Sequence, residues 1–390
     1  MSVYPHQIER LSAVLEREGL AALVATTAAN VQYLTGFRSL TAAVFHTPHF
    51  AVFAPRGTAL VVPGMDVAPI VADAIAVDHV LCFGRFVAQY AEGSSAGGRV
   101  RAHAERRAAS PAEGLARALE ALDVRGRVGL DEGALTPLAW RQTAARLDPL
   151  ILVEAADLLG AARRVKSPYE LECLARGLGI VEEAANTVIQ ALTPGMTERE
   201  AATAYGIEVL KRGAELVPIS IAFGERTWIP APAPTDRPLR PGDLVRLDLG
   251  CVFNSYHASL ARMAVAGKPS ARQEAAHAAA QEGLEAAVDA VVPGGTAGQV
   301  HQAGVAAVRV AGLAAFERYH LGHGVGLEPY ERPKLAADDH TPLEVGEVLR
   351  VEVPYFEMGW AGVNVRDTVL VTTHGRQVMN RSTRALVLLD

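Results

Sequence analysis

Residues 242–263 read GDLVRLDLGCVFNSYHASLARM, and residues 346–352 repeat the opening of that stretch as GEVLRVE. Both runs have the aliphatic content of β-strands, in which alternate residues face the same side. An arginine and an acid two positions later therefore share one face of each strand. These residues are Arg246 and Asp248 in the first run and Arg350 and Glu352 in the second. A buried carboxylate is costly unless a positive or hydrogen-bonding group meets it. We therefore expect both acids to face one shared pocket.

An internal repeat surrounds the two runs. Residues 194–197 (PGMT) with Glu200 match residues 293–296 (PGGT) with Gln299. Each match ends one long helix, caps a second helix and is followed by one of the acid-bearing strands. The pattern predicts an α+β domain of two similar halves, related by an approximate two-fold axis that brings the two acids together.

The first part of the chain has a different organisation. Its alternating segments predict helices at 5–18, 111–122 and 137–147 and strands at 21–25, 50–54, 58–62, 128–130 and 150–153. Residues 86–98 are predicted to be an exposed loop. A capping box at Ser167-Pro168-Tyr169-Glu170 opens a long helix that runs to about Leu192. These signals predict an α/β domain over residues 1–160 and a second domain over residues 161–390.

Composition excludes several classes of function. The 390 residues are 50% hydrophobic and 21% charged, and the net charge of −6 comes without a basic run, which argues against nucleic-acid binding. The three cysteines form no CxxC pair, as expected in a reducing compartment. Neither a signal peptide nor a membrane-spanning run is recognisable. We expect a cytoplasmic protein without a membrane partner.

Four short motifs carry a resemblance to a known family. They are YLTGF at 33–37, RVKSPYE at 164–170, GHGVGLE at 322–328 and DTVLV at 367–371. On these motifs the chain resembles, over essentially its whole length, the pita-bread superfamily of methionine aminopeptidase, aminopeptidase P (a Xaa-Pro peptidase) and creatinase. The resemblance implies a creatinase-type, ribonuclease H-like N-terminal domain and an α+β pita-bread C-terminal domain. It also implies a homodimer that acts on a small molecule.

The resemblance also implies a set of metal ligands. Family peptidases hold two metal ions with two aspartates, a histidine and two glutamates. The matching positions here are Asp248, His323 and Glu352, whereas Ser259 and Arg366 replace the second aspartate and the last glutamate. A neutral hydroxyl and a permanently charged guanidinium are poor substitutes for acidic ligands. We therefore expect no cofactor; if one is present, it should be a divalent metal such as Mn or Zn. We also expect Arg366 to form an ion pair with Asp248 or Glu352.

Two histidines of the family peptidases are also missing, because Ala231 and Tyr330 stand at their positions. These exchanges put Xaa-Pro peptidase activity in doubt. They favour comparison with creatinase and ectoine hydrolase, which act on small amidines without the usual metal pair. Creatinase's own catalytic histidine falls on Ala231, so its mechanism does not carry over directly.

Candidate functional residues follow from these positions. His257 lies two residues before Ser259, so strand alternation aims both to one side, although an exposed hairpin histidine fits the pattern equally well. The indole ring of Trp228 could bind a cationic ligand, but a tryptophan is also a common core residue. The predicted catalytic residues are Glu352, His323, His257, Arg366 and Asp248. The predicted substrate-binding residues are Tyr330, His320, Trp228, Arg226 and Ser259.

The sequence favours one hypothesis of function and leaves others open. The preferred one is a metal-independent hydrolase of a C–N bond in a small polar amidine or amide, with Glu352 or a histidine activating water. One alternative is a Xaa-Pro aminopeptidase or dipeptidase with an altered, mononuclear metal site. Others are a non-catalytic binding protein and a lyase that uses the same pocket.

Overall fold

Two units make up the chain, and they meet in sequence between Arg163 and Arg164. The computed structural model describes residues 5–389. Within that range no helix is long and apolar enough to cross a membrane. Each unit contains its own sheet and its own buried apolar core.

The first unit is built on a mixed six-stranded sheet in the order β4-β3-β2-β1-β5-β6. Its strands are β1 (Ala22–Ala25), β2 (Phe50–Ala54), β3 (Gly57–Pro63), β4 (His79–Phe83), β5 (Arg127–Leu130) and β6 (Ile151–Glu154). Its helices are α1 (Pro5–Glu18), α2 (Ala28–Thr35), α3 (Leu40–Phe45), α4 (Val67–Ala72), α5 (Ser95–Glu105), α6 (Pro111–Ala121), α7 (Pro137–Leu147) and α8 (Ala156–Arg164).

Most predicted elements of this unit lie within a residue or two of the observed bounds. The loop predicted over residues 86–98 is wrong at its end, because α5 begins at Ser95 with Ser94 as its N-cap. Gly97 and Gly98 lie in the first turn of α5, where glycine lowers helix propensity, so these two glycines indicated a loop inside a helix.

The second unit is built on a ten-stranded sheet whose main path is β12-β11-β13-β14-β10-β9-β7. Its helices are α9 (Pro168–Ala191), α10 (Glu198–Lys211), α11 (Ala271–Asp289) and α12 (Ala297–Val310). Its long strands are β9 (Leu244–Phe253), β10 (Tyr256–Ala266), β13 (Val348–Glu357) and β14 (Ala361–Thr372). The shorter ones are β7 (Glu215–Leu216), β8 (Ser220–Phe223), β11 (Gly322–Gly324), β12 (Glu331–Lys334), β15 (Gly375–Val378) and β16 (Val387–Leu389).

The internal repeat is visible in the structure of this unit. Thr197 and Thr296 each form a complete capping box, with Glu200 and Gln299 respectively. In one half α9 packs on β9 and β10 and α10 packs on α9, and in the other half α11 packs on β13 and β14 and α12 packs on α11. The two halves therefore repeat the same arrangement of two helices and a strand hairpin.

Strand alternation divides the residues of the sheet between a core and a cavity. On β9, Leu247 and Leu249 are buried in one hydrophobic core with the helices, and on β13, Val351 and Val353 are buried in the other. Because successive side chains of a strand point to opposite faces, the residues between them face the other side of the sheet. That side carries the acids of both repeats.

Candidate active site

Strand register places both repeat-related acids in one row of the sheet. Glu352 on β13 lies opposite Arg366 on β14. Arg366 lies opposite Ala261 on β10, and Ala261 lies opposite Asp248 on β9. Directly opposed residues of antiparallel strands share a face. The row therefore delivers two carboxylates, with a guanidinium between them, to the same side of the sheet.

A cavity of about 610 Å³ lies over this row. Its volume is in the range typical of small-molecule sites. Its charged lining residues are Asp248, Glu352, Arg318, Arg350 and Arg366. Its apolar walls include Val217, Ile219, Pro230, Pro232, Pro354 and Phe356. A ligand in this cavity therefore meets both fixed charges and apolar surface.

Arg366 connects the two carboxylates. Its Nε and Nη2 lie 2.7 Å and 2.6 Å from Oε2 of Glu352, and Nη2 lies 3.6 Å from Oδ1 of Asp248. Arg366 and Glu352 are both buried, with 6% and 7% of their surface exposed. The sequence left open which acid Arg366 contacts. In the structure it hydrogen-bonds Glu352 and lies at ion-pair distance from Asp248.

Each acid also pairs with the arginine of its own repeat. Nε of Arg246 lies 2.9 Å from Oδ2 of Asp248, and Nη2 of Arg350 donates to Oε2 of Glu352 at 3.2 Å. Nδ2 of Asn364 donates to Oδ1 of Asp248 at 2.6 Å. The shared face expected from GDLVRLD and GEVLRVE thus appears as two equivalent ion pairs, joined by Arg366.

These contacts decide the charge of Glu352. Burial acts to raise the pKa of its carboxyl, but the guanidinia of Arg366 and Arg350 together hold the pKa well below its usual value. Glu352 is therefore ionised at neutral pH. A carboxylate held by two guanidinia is a weak base, so its main effect is to fix the two arginines in position.

His323 lies beside the row, on β11, opposite Arg350 on β13. Burial lowers the pKa of His323 to about 4, and the nearby Arg350 acts in the same direction. Its Nδ1 lies 2.8 Å from the carbonyl oxygen of Gly324, which only accepts, so Nδ1 carries the proton of a neutral imidazole. The ring stacks on Tyr330 with centroids 3.8 Å apart.

The other candidates divide between the cavity and its surroundings. His257 and Ser259 on β10 both line the cavity. His320 and Tyr330 form an edge-to-face pair with centroids 5.8 Å apart, and neither side chain is part of the cavity wall. Arg226 lies in the 3₁₀ turn Gly224–Trp228, where its Nε donates to the buried carboxylate of Glu198. This pair and Trp228 are outside the cavity lining.

Three residues of the site were missing from the predicted set. Arg350 was recognised only as a neighbour of Glu352, whereas its side chain lines the cavity. Asn364 lies on the cavity side of β14, two residues before Arg366, and strand alternation could have identified it. Arg318 precedes β11 in a segment without regular structure, so no periodic signal pointed to it.

Comparisons with known proteins agree with this architecture. Residues 172–373 match metallopeptidase family M24, and residues 7–165 match the creatinase/prolidase N-terminal domain. The chain is 31% identical to a Xaa-Pro dipeptidase from Pyrococcus furiosus over 233 residues, which are 59% of this chain and 67% of that protein. Among solved structures, the dipeptidase PepE of Mycobacterium ulcerans matches with a TM-score of 0.80 and 26% identity, covering 99% of this chain and 98% of that one.

A more distant structure shows the fold alone. The X-Pro aminopeptidase of Thermotoga maritima has a TM-score of 0.82 at 21% identity and covers 98% of this chain and 99% of its own. The prediction of a creatinase-type N-terminal domain followed by a pita-bread C-terminal domain is confirmed by these matches.

The match to a metallopeptidase family requires a test of the cavity for metal ligands. A bridged pair of divalent ions needs carboxylates whose oxygens are available to both ions. In the described part of the chain, no group of three or more His, Cys, Asp or Glu side chains is arranged to hold an ion. The guanidinium of Arg366 lies between Asp248 and Glu352, and Ser259 contributes no charge. The side chains present do not fit a bridged metal pair.

Two of the predictions from sequence are wrong. The metal-independent hydrolase of a small amidine or amide is contradicted by the family match and by relatives described as Xaa-Pro dipeptidases. The absence of any cofactor is contradicted by the same match to a family of metallopeptidases. The doubt about peptidase activity, raised by Ala231 and Tyr330, is also not supported. Three of the four exchanged residues, Ala231, Ser259 and Arg366, line the cavity, whereas the similarity extends across both domains.

Proposed function

Because the chain belongs to metallopeptidase family M24, we propose that it is a peptidase of the Xaa-Pro dipeptidase type whose metal site is altered. The observation that carries this proposal is the similarity to Xaa-Pro dipeptidases. The cavity is consistent with it. Its apolar walls, which include Val217, Ile219 and Phe356, suit a nonpolar ring such as a prolyl side chain.

The alteration of the metal site is part of the proposal. Asp248, His323 and Glu352 remain of the family's acidic and histidine ligands, and Ser259 and Arg366 have replaced the others. We propose that Arg366 occupies the space between the two carboxylates and that the site holds fewer than two ions. The support is the buried hydrogen bond between Arg366 and Glu352, 2.7 Å from Nε to Oε2.

The proposal assigns binding roles to the side chains of this cavity. Arg350 and Arg366 present guanidinium groups whose positions are fixed by Glu352, and preorganised donors of this kind stabilise negative charge on a bound molecule. Nδ2 of Asn364 is engaged by Asp248, which leaves its carbonyl oxygen oriented as an acceptor. We propose that these groups orient the peptide and that His257 and Ser259 contact it from β10.

Hydrolysis of dipeptides by the purified full-length protein tests the proposal. Ala-Pro is incubated with the protein alone and with Mn²⁺, Co²⁺ or Zn²⁺ added singly, and free proline is quantified by chromatography. We expect proline release above that of a blank without protein. The surface variant Arg376→Gln should release proline at the same rate as the wild type. Glu352→Gln should reduce the rate at least about 100-fold, because it releases Arg350 and Arg366, the two arginines that Glu352 holds. No proline release under any of these conditions contradicts the proposal.

A second candidate is a peptide-binding protein that does not turn its ligand over. One observation favours it: Arg366 lies at ion-pair distance from both Asp248 and Glu352, the carboxylates that would bind metal in a peptidase of this family. Ala-Pro binding in calorimetry, together with the absence of proline release, would identify this case.

Assembly and location remain proposals of the same kind. We propose a cytoplasmic homodimer that acts on a small molecule and has no nucleic-acid partner. Light scattering coupled to size exclusion tests the dimer, for which the expected mass is twice the chain mass of 41.3 kDa. A monomer at micromolar concentration would contradict it.

A further inference from the structure

The charged groups around the cavity do not balance. Its lining holds two carboxylates, Asp248 and Glu352, and three guanidinia, Arg318, Arg350 and Arg366. A fourth guanidinium, that of the fully buried Arg246, lies directly against Asp248. Together these groups carry four positive charges against two negative ones. Low dielectric makes such an excess more consequential in a cavity than on an open surface.

Two of the arginines are in a position to meet a ligand. Arg350 shares Glu352 with Arg366 and keeps 20% of its side chain exposed, at the cavity wall. Arg350 and Arg366 both pair with Oε2 of Glu352, so two guanidinia share one carboxylate oxygen. An anion placed beside Arg350 would offset the repulsion between the two guanidinia.

Arg318 lies beside the ring of Phe356, which also lines the cavity. Its guanidinium carbon lies 5.7 Å from the centroid of the Phe356 ring, and that of Arg246 lies 4.9 Å from the same centroid. Cation–π contacts of this kind fix the direction of a guanidinium without using its hydrogen-bond donors. Among the ion pairs found within residues 5–389 none joins Arg318 to a carboxylate, and its side chain lines the cavity, so its guanidinium can meet a ligand there.

We infer that the cavity selects peptide-like ligands of net negative charge, with the C-terminal carboxylate received by Arg350 and Arg318. A free dipeptide is a zwitterion, and its ammonium group would be repelled by the excess of guanidinia. An N-acylated dipeptide has the same carboxylate without the ammonium group, so it offsets more of the excess charge. The preferred class is therefore a short peptide whose amino group is acylated and whose carboxylate is free. This inference rests on the proposed function for the choice of peptide ligands.

Three ligands built on Ala-Pro separate the charge states. Ala-Pro amide carries a net positive charge at pH 7.5, Ala-Pro carries none, and N-acetyl-Ala-Pro carries a net negative charge. Their binding to the full-length protein is measured by isothermal titration calorimetry at 50 mM and 500 mM NaCl. We expect affinity to rise about tenfold at each step of this series, and the steps to shrink at high salt.

Matched variants assign the effect to the two arginines. Arg350→Gln and Arg318→Gln should each reduce the preference for N-acetyl-Ala-Pro over Ala-Pro amide at least about fivefold. Arg376→Gln, which removes a surface arginine paired with Asp289, should leave the preference unchanged. Arg318 is half-buried and outside the carboxylate pairs, so its variant reports on binding even where Arg350→Gln fails to fold.

The outcomes distinguish this inference from the proposed function. Equal affinity for the three ligands overturns the inference, whereas proline release from Ala-Pro would still support the peptidase. An ordered affinity series without proline release supports the inference and contradicts the peptidase. If none of the three ligands binds, both are overturned.

Discussion

Replacing Arg366 by methionine should destabilise the second unit, because it leaves a buried carboxylate without its main partner. Methionine keeps most of the length of the side chain and removes its charge. In the protein, Nε and Nη2 of Arg366 both lie within 2.7 Å of Oε2 of Glu352, and only 9% of the Glu352 side chain is exposed. Losing one partner of a buried ion pair costs about 3–5 kcal/mol. We expect a loss of about 3 kcal/mol, the lower end of that range, because Arg350 still donates to Glu352.

A double-mutant cycle isolates this interaction. The free energy of unfolding is measured by urea denaturation at pH 7.5 for the wild type, Arg366→Met, Glu352→Gln and the double variant. Because the double variant removes both charges, it should be more stable than the sum of the single losses predicts, by at least about 1.5 kcal/mol. Arg376→Gln removes an exposed ion pair and should cost less than about 0.5 kcal/mol.

Two results would refute this reasoning. A loss below about 1 kcal/mol in Arg366→Met would mean that the guanidinium is not the partner that makes burial of Glu352 tolerable. Additive losses in the double variant would mean that the two side chains do not interact. Either result would remove the structural basis for an altered metal site.

Glycine, pH and acid–base predictions follow from other parts of the second unit. Gly322 has a φ of +131°, and a Cβ there would overlap the carbonyl oxygen of Arg350, so Gly322→Ala should lower the free energy of unfolding by at least about 2 kcal/mol. Gly312 has a φ of +113° with open space around it, so the control Gly312→Ala should lower it by about 1 kcal/mol. Equal losses of the two variants in thermal denaturation would contradict this account. Burial raises the pKa of Glu347 from 4.5 to about 7, so between these values the folded state binds a proton that the unfolded state has lost, and stability should fall as pH rises. Between pH 5 and pH 8 this fall in the free energy of unfolding, measured by urea denaturation, should be smaller in Glu347→Gln by up to about 3 kcal/mol. An unchanged pH dependence in the variant would show that Glu347 does not cause the fall. Burial lowers the pKa of His323 to about 4, so NMR titration of its ring should show the neutral form down to about pH 5, and a midpoint above 6 would contradict the buried position.

The acid-bearing strands were predictable because their signal is local. The period-two alternation of GDLVRLD and GEVLRVE predicted which side chains of β9 and β13 share a face. The capping boxes at Thr197 and Thr296 indicated where helices of the repeat begin. The cavity itself depends on register between strands that are distant in sequence. Sequence alone could not show that Arg366 and Asp248 are separated by one strand, with Ala261 between them.

The function was harder to predict than the fold. The exchange of Ser259 and Arg366 for acidic residues is visible in the sequence, and it led to a metal-independent hydrolase that the comparisons contradict. Two exchanged positions do not outweigh the similarity of the rest of the chain, which matches the family over both domains. Arg318 illustrates a second limit, since an irregular segment carries no pattern that reveals which cavity it lines.

The metal content of the purified protein tests the central claim most directly. Elemental analysis after dialysis against Mn²⁺ is carried out on the wild type and on the double variant Ser259→Asp/Arg366→Glu, which restores acidic residues at both exchanged positions. The account predicts fewer than two ions per chain in the wild type and two in the double variant. Two ions per wild-type chain, retained at the same affinity in the double variant, would contradict the claim that Arg366 occupies the space between Asp248 and Glu352.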